Sequence, residues 1–511
     1  LPILLKDASA TAIYGSRAAN GVMLITTKKG KQGAAKVNYD TSFGFTQPYR
    51  LHEVMNAEQF VAHKNLARTN VGNIDVTNPA NLYKISLDAE GKPIDTNWAD
   101  LIYQTGFQHN HALSFSGASQ TTSYFLSVGY SDNEGILKTN TFTRKNARLN
   151  LDHKLNKWIT LAFTLGYTNS FTNAPQSGSI EGSLFATAGA GRLAMVTSPI
   201  IGPRLNDGRY NNDVTSGFLG TLGNPASVGF FNPVFLLENN YNNAQSDRVL
   251  SNISATIEPV KGLFLRTVFG YDNSAIESKT FWHPDHGDGR TAGGEAYNYF
   301  DRRNRWNWTN TINYSFSIID KFNFQALIGS EEQYTVFDGW SGRRTGMSDP
   351  FFTSYQGSFT TPQQPPALMQ AENYFNSVFS RLNFNYDRKY FFEVSGRRDG
   401  FSGLAKGNKY GNFGGASLMW AISQESFVKD SEISNFLSDL RIKGSYGRVG
   451  NISAVGDYSS LFLYSAGVYN TNPTLFFSQA GNADLAWETS NKLDAGISFR
   501  SEEHTSELQS R

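Results

Sequence analysis

The sequence predicts an all-β chain of the transmembrane antiparallel β-barrel type. Three observations predict it: a composition of strand formers, period-two alternation of apolar and small or polar residues, and connections that alternate between short turns and long loops. The 511 residues include 38 Phe, 24 Tyr and 47 Gly, with an apolar fraction of only 39% but an aromatic fraction of 14%. That mix is poor in the residues that fill helices and rich in those that fit a pleated surface. The absence of cysteine excludes disulfides and cysteine-based zinc sites. Lys+Arg 45 against Asp+Glu 44 leaves a formal charge of +1, so no basic excess points to nucleic acid. No run approaches the roughly 18 to 20 apolar residues of a membrane-spanning helix. A barrel needs none, because its strands alternate and its overall hydropathy looks soluble.

The elements follow in chain order. Asp7 to Tyr14 is a short helix-like piece of small residues, and Gly15 ends it. Asn20-Gly21 makes a tight turn, since both residues tolerate positive φ. Val22 to Thr27 is a strand. The glycines and Arg17 superficially suggest a phosphate loop. Yet the spacing is wrong, and the helix precedes the strand, so a phosphate would meet the negative end of the helix dipole. Met55 to Ala67 reads as an amphipathic helix between strands, and Ser183 to Val196 as a second helix inside the longest loop.

The strand stripes are regular. Tyr124, Leu126, Val128 and Tyr130 share one face, as do Ile159, Leu161, Phe163, Leu165 and Tyr167. Leu263, Leu265, Thr267, Phe269 and Tyr271 form another stripe, and Leu382, Phe384 and Tyr386 a further one. Several stripes end in Tyr or Trp, as strands reaching a membrane interface do. "DHKLNK", "EPVKG", "SIIDK" and "DRK" are short turns. About 75 residues lie between Phe171 and the strand near Val249, and about 40 between Gln333 and Tyr374, including the breaker run "TTPQQPPA". Short turns at one end and long loops at the other fit an outer-membrane barrel. A soluble propeller or sandwich is the alternative. A propeller repeats at about 40 to 50 residues, and no such repeat is present.

Candidate chemistry is sparse. "FWHPDHGDGR" offers His283, Asp285, His286 and Asp288, but their spacing fits no metal site, and Pro284, Gly287 and Gly289 mark an exposed loop tip. Glu332, Glu372 and Glu393 are carboxylates of the type a glycosidase pairs, though strand-face glutamates in a polar lumen explain them equally. The aromatics of "GFFNPVF" and "WSGRR" suit stacking on a sugar, contact with a partner, or packing among themselves. No nucleophile elbow, HExxH or EF-hand pattern appears. No catalytic residue, metal ligand or cofactor is assigned.

"LKDASATAIYGSRAANGVMLITTKKGK" resembles the C-terminal end of the plug domain of SusC/RagA-type TonB-dependent outer-membrane transporters. The residues that carry the likeness are Tyr14, Gly15, Arg17, Asn20 and Gly21, followed by the strand and its lysines. Later stretches agree in order: "HALSFSGASQTTSYFLSVGYSDNEGILK", the Arg-Arg-Asp-Gly hairpin within "YFFEVSGRRDGFSGLAKGNKYGNFGGASLMWAISQESFVK", "LRIKGSYGRVGN" and "ADLAWETSNKLDAGISF". Phe401-Ser402-Gly403 departs from the family pattern in what reads as an outer loop.

The resemblance implies a 22-stranded barrel around an N-terminal plug, in the outer membrane of Bacteroidetes-type bacteria. It implies TonB-dependent import of an oligosaccharide or peptide under a SusD-like surface lipoprotein, with TonB acting on a box ahead of the plug. The expected organisation is plug end over 1–31, an incomplete barrel over 32–499, and a tail, 500–511, that reads as non-native, adapter-derived sequence. The expectation is therefore a fragment, lacking most of the plug and the last strands. No enzyme activity is expected. The alternative from another class is a secreted β-rich carbohydrate-binding protein or glycoside hydrolase.

Overall fold

The computed structural model describes residues 2–5, 15, 21–72, 74–175, 189–213, 219–220, 230–319, 321–349, 351–353, 358–432 and 436–501. Its strands are β1 (Pro2–Leu5), β2 (Val22–Ile25), β3 (Gly33–Thr46), β4 (Gly106–Ala118), β5 (Thr122–Glu134), β6 (Thr141–Lys154), β7 (Ile159–Asn173), β8 (Tyr241–Val260) and β9 (Leu263–Trp282). They continue as β10 (Glu295–Ile318), β11 (Phe322–Met347), β12 (Phe359–Tyr386), β13 (Tyr390–Phe401), β14 (Tyr410–Ala421), β15 (Leu437–Asn451), β16 (Leu463–Tyr469), β17 (Asn472–Gln479) and β18 (Glu488–Ser501). Strands β3 to β15 and β18 form one 14-stranded antiparallel sheet in which each strand pairs with its neighbours in sequence, the hairpin β16–β17 standing apart between β15 and β18. The pair β1–β2 is a separate small sheet.

The four stripes read from sequence fall on one face of this sheet. Leu126 pairs with Leu149 and Leu149 with Leu165. Further along, Leu263 pairs with Tyr314, Tyr314 with Ala326, Ala326 with Leu382, Leu382 with Val394 and Val394 with Ala416. Because side chains alternate with period two, this register carries one apolar face across the whole sheet. Its side chains are well exposed, among them Leu161, Ile253, Ile312, Ile328, Val378 and Leu418. On β12, Tyr374 and Tyr386 bound this face. Twelve residues at about 3.3 Å rise, tilted by about 40°, project to roughly 30 Å, near the apolar thickness of an outer membrane. The opposite face is dominated by Ser, Thr, Asn, Gly and charged residues, such as Ser127, Asn150, Thr164, Asn252 and Ser377.

The short turns stand where expected. "DRK" is a tight hairpin with Asp387 and Arg388 both at positive φ, 51° and 57°, the backbone a two-residue type I′ turn requires. Gly262 (φ 85°) closes the β8–β9 turn.

The region between Gln333 and Tyr374 corrects the sequence reading. β11 runs on to Met347 and β12 starts at Phe359, so the run Thr360–Ala367 lies inside a strand. Proline removes a ladder donor, but this half of β12 pairs only with β11, since pairing to β13 begins at Phe375. Register shifts between Ser341 and Arg343 and between Arg343 and Arg344 accommodate the irregularity.

The long connections build a second core. Helix α1 (Ala57–Val71) matches the expected helix; its cap Asn56 accepts from the Gln59 amide at 2.9 Å, the Gln59 side chain accepts from the Asn56 amide at 3.1 Å, and Gly72 (φ 74°) ends it. Helix α2 (Trp98–Ile102) follows in the same connection. The helix expected over Ser183–Val196 is α3, Ala190–Val196, with 181–188 outside the described residues. Helix α4 (Pro233–Asn239) follows. Ala57, Trp98, Ile102, Leu137, Ala194 and Leu237, drawn from three different loops, pack as one cluster. Trp98 Nε1 donates to the Ser198 carbonyl at 2.9 Å within it. Of the expected non-native tail, Arg500 and Ser501 continue β18, and 502–511 lie outside the described residues.

Candidate functional site

The polar face carries the N-terminal segment on two separate stretches of wall. The first is β4 to β6. The carbonyl of Lys28 accepts from Asn150 Nδ2 at 2.9 Å, and that of Gly30 from Ser123 Oγ at 3.1 Å. Lys29 pairs with Asp152 at 2.9 Å. Gly30 lies so close to the Gly117 carbonyl that any Cβ there would collide with it.

The second stretch is β13. Arg397 and Asp399 are alternate residues on the polar face, so both point the same way. Their side chains are 2% and 0% exposed and joined by an Arg397 Nε–Asp399 Oδ1 ion pair. Arg397 Nη2 also donates to Ser377 Oγ at 2.7 Å and faces Glu331 at 3.4 Å. Its guanidinium lies over the Phe379 ring, 5.1 Å from the centroid. A guanidinium that stacks and is multiply hydrogen-bonded is the form in which a positive charge can be buried. Gly15, at φ +74°, is seated on this group: a Cβ there would run into Arg397 Nε and come within 2.7 Å of Asp399 Oδ2.

Of the residues singled out from sequence, Gly15 and Gly21 have positive φ, 74° and 104°, a region open to glycine. Tyr14, Arg17 and Asn20 lie outside the described residues. The Arg397–Asp399 pair was not singled out as a site. Its signal is present: two opposite charges at i and i+2 on a strand face otherwise built from small and polar residues.

The other candidates are structural. "FWHPDHGDGR" is not an exposed tip. His286 is fully buried, its Nε2 accepts from the Asn232 amide at 2.6 Å, and its ring packs edge-on against Phe231 and Phe235. So the aromatics of "GFFNPVF" are committed to packing. Burial holds the His283 pKa below its ordinary value, against the pull of Asp285. Burial raises that of Asp288, helped by the charge of Glu295. Trp340 packs beside Phe281, Ala296 and Phe359, and Arg343 pairs with buried Glu295 at 2.5 Å. Only Glu393 of the three glutamates shares the polar face. Glu332 and Glu372 lie on the opposite face near its long-loop end, where Glu372 accepts from the Tyr334 hydroxyl. Among the described residues, no group of three or more His, Asp or Glu is placed to hold a metal. Near the short turns, polar residues such as Gln325, Asn383 and Glu393 and apolar ones such as Phe324, Phe391 and Leu418 together line a cavity of about 1090 Å³.

No family model matches the chain. Curated relatives do. The TonB-dependent receptor P3 of Formosa agariphila is 30% identical over 97% of this chain and 46% of its own length. The TonB-dependent receptor SusC of Bacteroides thetaiotaomicron is 28% identical over 97% and 48%. The chain thus spans about half the length of the curated relatives it matches. Among solved structures, the RagAB peptide importer in its closed-closed state superposes with a TM-score of 0.82 at 27% identity, covering 98% of this chain and 56% of that one. The siderophore receptor PirA of Acinetobacter baumannii, at 14% identity and a TM-score of 0.52, shares the fold. The 14-stranded sheet, with one apolar and one polar face, is accordingly part of an antiparallel transmembrane β-barrel, and the chain belongs to the SusC/RagA family of TonB-dependent receptors.

Proposed function

We propose that this chain is the wall and plug-end portion of an outer-membrane importer that moves an oligosaccharide or a peptide under the control of TonB. Residues 1–31 are read as the end of the plug and 32–499 as barrel wall. One observation carries the proposal. A segment that is not part of the sheet is fastened to the polar face of a wall whose other face is apolar, through Gly15 on Arg397–Asp399 and through Lys28 to Gly30 on β4–β6. A passive pore has no use for such a segment. An active importer needs one that closes the lumen at rest and yields under force.

The exposed apolar face argues against a secreted carbohydrate-binding protein or glycosidase, since a soluble protein rarely leaves so large a continuous patch in water. The proposed partners are TonB, a SusD-like surface lipoprotein and outer-membrane lipid. Hairpin β16–β17 supports a protein partner: Tyr464, Val468, Leu475 and Phe477 make one face of it and are all exposed, and an isolated hairpin is marginal without a covering surface. Peptide import is what the RagAB structure is described as performing; the polar lumen face suits either substrate class.

The test is uptake by cells with and without the full-length gene, supplied with defined oligosaccharides or with peptides. Deletion of the gene, and separately of TonB, is expected to abolish uptake of one class. Unchanged uptake of both classes would overturn the proposal.

A further inference from the structure

A pair of histidines on β4 does something the transport reading does not use. His109 and His111 are alternate residues, so both rings stand on the apolar face, level with the tyrosines that edge it toward the long loops. His109 Nδ1 and His111 Nε2 face each other at 3.2 Å. The other nitrogen of His111 is held from β3: Tyr39 Oη lies 2.7 Å and Thr41 Oγ1 3.2 Å from His111 Nδ1. The Thr41 hydroxyl donates to the Asn110 carbonyl at 3.1 Å, so its oxygen is free to accept, and His111 with its proton on Nδ1 is the tautomer that Thr41 favours. That tautomer turns the unprotonated Nε2 lone pair toward His109. Aromatic packing fixes both rings, with Tyr39 stacked on His111 at 6.0 Å and Tyr130 at 5.8 Å from His109.

Two ligands of a tetrahedral ion, each about 2.05 Å from it, are about 3.3 Å apart. The observed separation already matches. We propose that His109 and His111 form a two-imidazole site for a borderline divalent transition metal such as Zn²⁺ or Cu²⁺, with water at the remaining positions. Binding needs both ring lone pairs to converge on one point, each about 35° off the line between the two nitrogens, and a shift of the His109 proton from Nδ1 to Nε2. The ion then replaces the proton shared between the rings, and the charge on the protein does not change. Tyr39 and Thr41 act as the outer hydrogen-bonding shell that orients a ligating imidazole. Calcium and magnesium are disfavoured because they take oxygen ligands. With two protein ligands the ion exchanges readily, so this is a surface site and not a structural centre.

The test uses the full-length receptor in detergent micelles. Cu²⁺ titrated into the wild type should give an electron paramagnetic resonance signal with two nitrogen ligands. His109→Gln or His111→Gln should remove one nitrogen and weaken binding at least tenfold, and Tyr39→Phe should weaken it about tenfold with both nitrogens retained. The double substitution His52→Gln/His63→Gln, at exposed positions, should leave the signal unchanged. A second measurement needs no variant: Zn²⁺ should protect His109 and His111 together from diethyl pyrocarbonate, read by mass spectrometry. Wild-type Cu²⁺ affinity in His109→Gln and His111→Gln, or equal modification of both residues with and without Zn²⁺, would overturn the proposal.

Discussion

Arg397 and Asp399 are the residues on which the wall is most exposed to damage. Each is nearly inaccessible, and each compensates the other's charge in a site where desolvation is severe. Removing Asp399 leaves the buried Arg397 charge with only the longer contact to Glu331 at 3.4 Å to compensate it. Asp399→Ala should therefore destabilise the barrel by about 3–5 kcal/mol in urea titration of the detergent-extracted protein. A loss under 1 kcal/mol would show that solvent reaches Arg397. Gly15→Val acts at the same point from the other side, because the new side chain would collide with the pair and strain a backbone at φ +74°. Its expected outcome is an N-terminal segment displaced from β13 with the barrel intact, seen as new proteolytic cleavage near residue 15 and unchanged heat-modifiable gel mobility.

A second residue-scale prediction concerns acid. His286 accepts the Asn232 amide at a neutral nitrogen, and burial lowers the pKa of neighbouring His283. A lowered folded pKa means that the unfolded state binds the proton more readily. The contribution of His283 is thus present in full above its unfolded value of about 6.5 and is lost as pH falls through the folded value. Asp288, whose pKa is raised, has the opposite sign: its buried charge is a penalty at neutral pH that acid relieves, in the window just above the ordinary carboxylate range. The protection factor of the Asn232 amide, its exchange rate corrected for the intrinsic pH dependence, should fall between pH 7 and pH 5, and an unchanged protection factor would contradict the assignment.

At the scale of elements, the two faces of a strand make opposite demands. Ile328 lies on the apolar face of β11, midway between the levels of Tyr386 and Tyr374, and pairs with Ile312, whereas Thr164 of β7 lies on the polar face between Asn150 and Asn252. Ile328→Lys should cost about 2–4 kcal/mol in a bilayer, as a lysine at membrane midplane does, and Thr164→Lys much less. Folding titrations in lipid vesicles would measure both, and equal costs would remove the assignment of faces. Hairpin β16–β17 offers the complementary case. Tyr464→Ser with Leu475→Ser should abolish copurification of the proposed surface lipoprotein while leaving the barrel folded, since neither residue belongs to the 14-stranded sheet.

Element by element, the sequence is legible where one rule acts alone. Alternation places Leu126, Leu165, Leu265 and Leu382 on one face without knowledge of any neighbour, because a half-turn per residue is a local property of the strand. The Asn56–Gln59 capping box and the turn at Asp387-Arg388 are likewise local. The run Thr360–Ala367 is misread for the complementary reason. Prolines break a strand that must donate on both edges, and only the sheet reveals that this half of β12 has a partner on one side. The loop at His283–Asp288 is misread in the same way, since its burial depends on Phe231 and Phe235, about 50 residues earlier in the chain.

For the whole molecule, composition and alternation by themselves determined an all-β wall with an apolar and a polar face, and the motif around Gly15 determined its family. These follow from the chain's own periodicity and from a short contiguous pattern, and neither needs distant contacts. Only the tertiary structure decided where the N-terminal segment is fastened, which loops share a core, and that His109 and Tyr39 belong to one cluster. Each of those joins residues tens to hundreds of positions apart: Gly15 with Arg397, Trp98 with Ser198, Tyr39 with His111. Strand register sets the last of these, because β3 and β4 in register bring Tyr39 beside His111, whereas the first two depend on a segment and loops packing onto the finished wall.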